Sequence, residues 1–150
     1  MLLYRIEKEK YLQVFPSRGS LFSEGKWNRK GVWVVYTSET VALAKLEALA
    51  NSGSRLPDNR YLVTIELKDQ APVVQISVED LPIDWFHIPY KKNLSHYIQQ
   101  IIDSRLYVAA IVPSIQSPKE KNILLFPDYS KFDKYVKLVD TNRIESQSRR

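Results

Sequence analysis

Apolar and polar positions alternate over short runs along most of the chain, and short strands dominate the elements they predict. Residues 2–6 (LLYRI) read as a first strand. Residues 32–36 (VWVVY) are β-branched and aromatic, the composition of a buried strand. Thr37, Ser38 and Glu39 then supply hydroxyl caps and an acid for a helix start. The Ala/Leu-rich run 39–51 is predicted helical, and Asn51-Ser52-Gly53 ends it. In residues 61–67, Leu62, Thr64 and Glu66 alternate with Val63, Ile65 and Leu67, a strand with one wet face. Residues 72–76 form a further short strand. Residues 93–103 repeat apolar side chains at helical spacing, with Leu94, Tyr97, Ile98, Ile101 and Ile102 on one side. Strands follow at 107–112, 122–126 and 135–139. Many strands, two or three helices and no regular strand–helix alternation predict an α+β fold with a mixed or antiparallel sheet.

Residues 17–31 break this pattern. The stretch is polar and basic, and holds three of the four glycines, Gly19, Gly25 and Gly31. It reads as a long loop, and long loops in compact domains commonly carry function. With 150 residues the chain suits one domain, here set at 1–141, with a polar, frayed tail at 142–150. No apolar run approaches the length of a membrane-spanning helix, and the first residues carry no signal-peptide core. No cysteine is present, which removes disulfides, thiolate catalysis and cysteine-bound metals. A cytoplasmic protein with no membrane partner is expected. The net charge is +5, divided as +4 in residues 1–31, −2 in 32–116 and +3 in 117–150. Such ends attract an anionic ligand or an acidic partner, or are simply solvated lysines.

Several side chains could carry chemistry. Glu47 lies near the apolar stripe of the first helix, beside Leu43, Ala44 and Ala50, so it either pairs at the rim, for example with Lys45, or faces a cleft. Lys26, Trp27 and Asn28 put a cation, a ring and an amide on a loop that follows Gly25, a set suited to a phosphate-bearing ligand with a flat ring. Tyr36 closes a strand just before a helix, where sites are often lined, although a buried tyrosine is also an ordinary core residue. Ser114 follows Pro113 at a strand end. His87 and His96 share no helical spacing and have no ligand-like partners, so no metal site is expected.

In order along the chain, these segments resemble the RES domain family, the toxins of RES–Xre toxin–antitoxin systems. The elements that carry the resemblance begin with Tyr4-Arg5-Ile6, Gly25-Lys26-Trp27-Asn28 with Gly31, and Tyr36-Thr37-Ser38-Glu39. They continue with Ala42-Leu43-Ala44 and Leu46-Glu47, Leu81-Pro82-Ile83-Asp84-Trp85, Val112-Pro113-Ser114, the run from Asn122 to Pro127, and Asp140 to Arg143. One departure is the family's arginine in the second element, which is Lys26 here; lysine keeps the charge and loses the planar fork. The resemblance implies a fold similar to ADP-ribosyltransferases and an enzyme that degrades NAD. Glu47 would stabilise positive charge on the ribose, with Tyr36, Lys26 and Ser114 beside it. NAD would be held by Arg5, Lys26, Trp27, Asn28, Tyr36, Ser38 and Asn122. It implies no metal and no separate cofactor, NAD being the substrate and inorganic phosphate a co-substrate if the reaction is phosphorolysis. The implied partner is an Xre-like antitoxin, with nucleic acid met only through it; a homo-oligomer stays open. Transfer of ADP-ribose to a protein is the alternative within the family. A cationic toxin ribonuclease using His87 or His96 is the alternative outside it.

Overall fold

The computed structural model describes residues 1–53, 59–86 and 92–144. Seven strands form one sheet, β1 (Leu2–Lys8), β2 (Val35–Ser38), β3 (Arg60–Leu67), β4 (Val73–Gln75), β5 (Ala109–Pro113), β6 (Lys121–Leu125) and β7 (Val136–Arg143). Their spatial order is β4-β5-β6-β2-β1-β3-β7. The β4–β5 pair is parallel and the others antiparallel, so the sheet is mixed and the fold α+β, as expected. Three α-helices accompany it: α1 (Val41–Ser52), α2 (Lys92–Ser104) and the single turn α3 (Phe132–Tyr135).

The two faces of the sheet bury separate cores, as the period-two alternation requires. Leu3, Val35, Ile65, Ile123 and Leu125 lie in one, capped by Phe132. The other collects Leu124, Ala110 and Val112 under α2, through Leu94 and Ile98, together with Trp27 and Trp85. Helix α1 starts where Thr40 Oγ1 accepts the Leu43 N–H at 3.0 Å, and it stops at Gly53, whose φ of 75° is left-handed.

Three sequence expectations shift. The strand expected at 32–36 lies at Val35–Ser38. Val34 N–H bonds Ser20 Oγ, and the Trp33 indole bonds the Ser17 carbonyl, so the start of that apolar run anchors the 17–31 loop instead of the sheet. The last strand is preceded by α3 and begins at Val136. It continues through Asn142 and Arg143, the first residues assigned to the tail, because they pair with Leu62 and Tyr61.

One junction positions the site. Strands β1 and β2 share a single register pair, Tyr4 with Ser38, and then diverge. Arg5 bridges the divergence by donating from Nη1 to the Tyr36 carbonyl at 2.9 Å.

Candidate active site

A cleft of about 720 Å³ opens where β1 and β2 part. Its walls are β1, the end of β2, the 19–28 loop and the face of α1 bearing Ala44, Glu47, Ala48, Asn51 and Ser52. Those positions recur at three- and four-residue spacing, which puts them on one helix face.

Glu47 stands in this wall, and its partners are neutral. Its Oε2 accepts from Ser114 Oγ at 2.7 Å and from Asn122 Nδ2 at 2.6 Å. Asn122 Oδ1 in turn accepts from Ser38 Oγ at 2.8 Å. Ser114 Oγ accepts the backbone N–H groups of Gln116 and Ser117, which orients its own proton toward the carboxylate. Ser114 is fully buried, and Ser38 and Asn122 nearly so. Oε1 accepts no hydrogen bond from a described residue. The arrangement fixes a carboxylate through one oxygen and leaves the other for a ligand. Of the two sequence readings, the cleft-facing one holds, since α1 turns Glu47 toward β5 and β6 rather than toward Lys45.

A second group is built from the loop. Tyr36 Oη accepts the Trp27 N–H at 2.9 Å and donates to Asn28 Oδ1 at 2.6 Å. Asn28 Nδ2 donates to the carbonyls of Ser20, Ser23 and Arg29, closing the loop on itself. Gly25 is required by this closure. A Cβ there would lie 2.7 Å from Tyr36 Oη and 2.8 Å from Asn28 Oδ1, inside contact distance.

Lys26 is 7% exposed. Its Nζ donates to the Trp85 carbonyl at 2.6 Å and lies 4.9 Å and 5.8 Å from the ring centres of Trp85 and Trp27. Burial pushes its ammonium down from 10.5 to about 8, against the opposing pull of the Glu47 carboxylate.

Eight of the nine site residues named from sequence therefore fall into two connected groups around one cleft. Glu47, Ser114, Asn122 and Ser38 form the carboxylate network, and Lys26, Trp27, Asn28 and Tyr36 form the loop group. Arg5 borders the cleft, but its guanidinium is committed. Besides the Tyr36 carbonyl it donates to buried Glu7, at 2.7 Å from Nε. His96 sits at the surface, with Nδ1 3.0 Å from Arg29 Nη2, and His87 lies outside the described residues. Gly25, Glu7 and Trp85 were missed as site residues. Only Gly25 carried a signal, its rarity in a glycine-poor chain.

The RES domain family model matches residues 2–145. The chain belongs to the RES domain family. A relative named Toxin Res from Yersinia enterocolitica is 30% identical over 134 residues, 88% of each chain. One from Sphingobium sp., named Prs ADP-ribosylating toxin, is 36% identical over 113 residues, 73% of this chain and 70% of that one. Among solved structures, the fold is like one in the M. tuberculosis MbcT-MbcA toxin-antitoxin complex, with a TM-score of 0.71 and 14% identity. That match covers 95% of this chain and 83% of the other. The RES members at this similarity are named as toxins, and the RES fold here places its most ordered polar network beside an open cleft. Among the described residues, no helix is long and apolar enough to cross a membrane, and no group of side chains has the makings of a metal site.

Proposed function

We propose that this RES domain is a toxin that breaks the nicotinamide–ribose bond of NAD, with Glu47 as the charge-stabilising group. The observation that carries the reading is the Glu47 carboxylate, held at Oε2 by Ser114 and Asn122 with Oε1 unengaged in the cleft wall. In the bond-breaking step the C1′–N pair of electrons leaves with nicotinamide, whose ring goes from cationic to neutral. Positive charge grows on the ribose. A preorganised carboxylate beside it stabilises that charge and can hold a ribose hydroxyl. Because the leaving group is neutral, the step relies on charge placement and orientation more than on a strong nucleophile. Lys26 supplies a cation for phosphate from a socket of two indoles. Tyr36 offers a ring held at one angle by Trp27 and Asn28. The acceptor then gives an electron pair to C1′ and loses a proton. Phosphate would yield a phosphorylated ADP-ribose, and water would yield ADP-ribose.

A second reading, transfer to a protein side chain, is favoured by similarity to the Prs ADP-ribosylating toxin. Both readings share the first step. A partner fits either: a solved relative in fold is a toxin in complex with an antitoxin, and the ordered motifs suit an Xre-like one that covers the cleft.

Purified protein should consume NAD, and product analysis with and without phosphate identifies the acceptor. Glu47→Gln keeps shape and removes charge, so turnover should fall by about 100-fold or more with the thermal midpoint retained. Near-normal NAD loss by the folded variant overturns the assignment of Glu47.

A further inference from the structure

The end of the cleft beyond Glu47 carries a feature the reaction above leaves unused. Lys8 and Arg60 are a direct register pair across β1 and β3, and both line the cleft. Two cations opposite one another in an antiparallel pair repel and cost stability. Here they occupy the wall of a cavity, where an anion would cancel the repulsion. Lys8 makes no ion pair with a described residue.

Position decides which anion. Tyr4 is level with Ser38, which joins the Glu47 network through Asn122. Lys8 lies four residues further along β1, a rise of about 13 Å. On the helix side the cleft reaches Asn51 and Ser52, and Tyr11 lies near the same end. With the nicotinamide ribose at Glu47, this distance runs past the first phosphate toward the adenosine end of a dinucleotide. Lys26 remains available for the pyrophosphate nearer the carboxylate. Each phosphorus of a pyrophosphate diester carries one charge, whereas a phosphomonoester carries about −1.5 to −2 at pH 7. A pair of cations matches the monoester. Sites that prefer the unphosphorylated adenosine ribose commonly place a carboxylate beside it, whereas cations accept the 2′-phosphate. Among described residues this end of the cleft offers Lys8 and Arg60, and the nearby Glu9 carboxylate is taken by the Tyr61 hydroxyl at 3.0 Å.

We infer that Lys8 and Arg60 form a 2′-phosphate subsite, so that the chain accepts NADP as a substrate at least as well as NAD. This rests on the dinucleotide reading of the cleft, and the test separates the two. Consumption of NAD and NADP is measured on the full chain and on Lys8→Ala, Lys8→Gln and Arg60→Ala. The wild type should show kcat/KM for NADP at or above that for NAD. Each substitution should lower the NADP-to-NAD ratio by about tenfold, the loss of one charge-assisted contact. Lys8→Ala, by relieving repulsion, should not lower the thermal midpoint. A wild type that discriminates tenfold against NADP, or a ratio unmoved in both Lys8 variants, overturns the subsite. If neither dinucleotide is consumed, the reaction reading fails. Calorimetric titration with adenosine 2′,5′-bisphosphate and with 5′-AMP then tests the subsite alone. Tighter binding of the bisphosphate that Lys8→Ala abolishes supports it, and equal binding of the two ligands overturns it.

Discussion

A buried lysine in place of an arginine makes this site sensitive to alkali. The Lys26 ammonium titrates near pH 8 because its surroundings desolvate it faster than Glu47 can compensate. Below that pH the cation is present, and above it the phosphate contact is lost. The kcat/KM for NAD should therefore fall about tenfold between pH 7 and pH 9, the range over which the charged fraction drops by that factor. Lys26→Arg should flatten the profile, since guanidinium stays charged, and Lys26→Ala should be weak at every pH. An unchanged profile for Lys26→Arg would place the titrating group elsewhere. Stability moves in the opposite sense. The folded pKa is depressed, so the unfolded chain binds more protons between about pH 8 and 10.5. Over that window the contribution of Lys26 to stability rises with pH. The sequence exposed this much of the residue scale: a cation beside a tryptophan on a loop, and a glutamate too close to an apolar stripe. It could not show that Glu47 meets Ser114 and Asn122, which lie 67 and 75 residues away and reach it only because β6 pairs with both β2 and β5.

Elements were easier to read than the contacts between them. The helices α1 and α2 and the strands β1, β3 and β6 lie within a few residues of their predicted positions, because each has a strong period and a clear stop. Strand β2 was displaced by three residues, because an apolar run looks the same whether it pairs in a sheet or pins a loop. Val32–Trp33–Val34 pins the loop, with Trp33 tied to the Ser17 carbonyl. Arg5 illustrates the same limit. Alternation in β1 puts it on the opposite face from Tyr4, with Val63, but the splay of β1 from β2 gives its guanidinium a carbonyl to hold. The close fit of the loop against β2 gives an element-scale test. Gly25→Ala forces Tyr36 Oη and Asn28 Oδ1 away from a new methyl group. It should cost about 1–3 kcal/mol of stability, as overpacking does, and raise KM for NAD several-fold. A Gly25→Ala protein with wild-type stability and KM would show that the loop relaxes without moving Tyr36.

At the scale of the whole molecule, an enzyme that consumes a dinucleotide inside its own cell must be kept in check. Positive charge in residues 1–31 and 117–150 gives an acidic partner a surface to find quickly. The simplest block is a chain segment whose carboxylate imitates phosphate at Lys26. A purified antitoxin should then raise the apparent KM for NAD without lowering kcat. A complex that consumes NAD as fast as the free chain would put control elsewhere, for example in transcription.

The order in which the carboxylate network is drawn from the chain has a consequence for its biosynthesis. Glu47 leaves the ribosome early, but the groups that fix it, Ser114 and Asn122, are made near the end, and β7 closes the sheet later still. A nascent chain thus carries its dangerous carboxylate unoriented for most of its synthesis. Translation that stalls before residue 114 yields a fragment without the means to aim it. The toxin is harmless by construction until it is nearly whole, which leaves a partner made alongside it the whole of that interval in which to be ready.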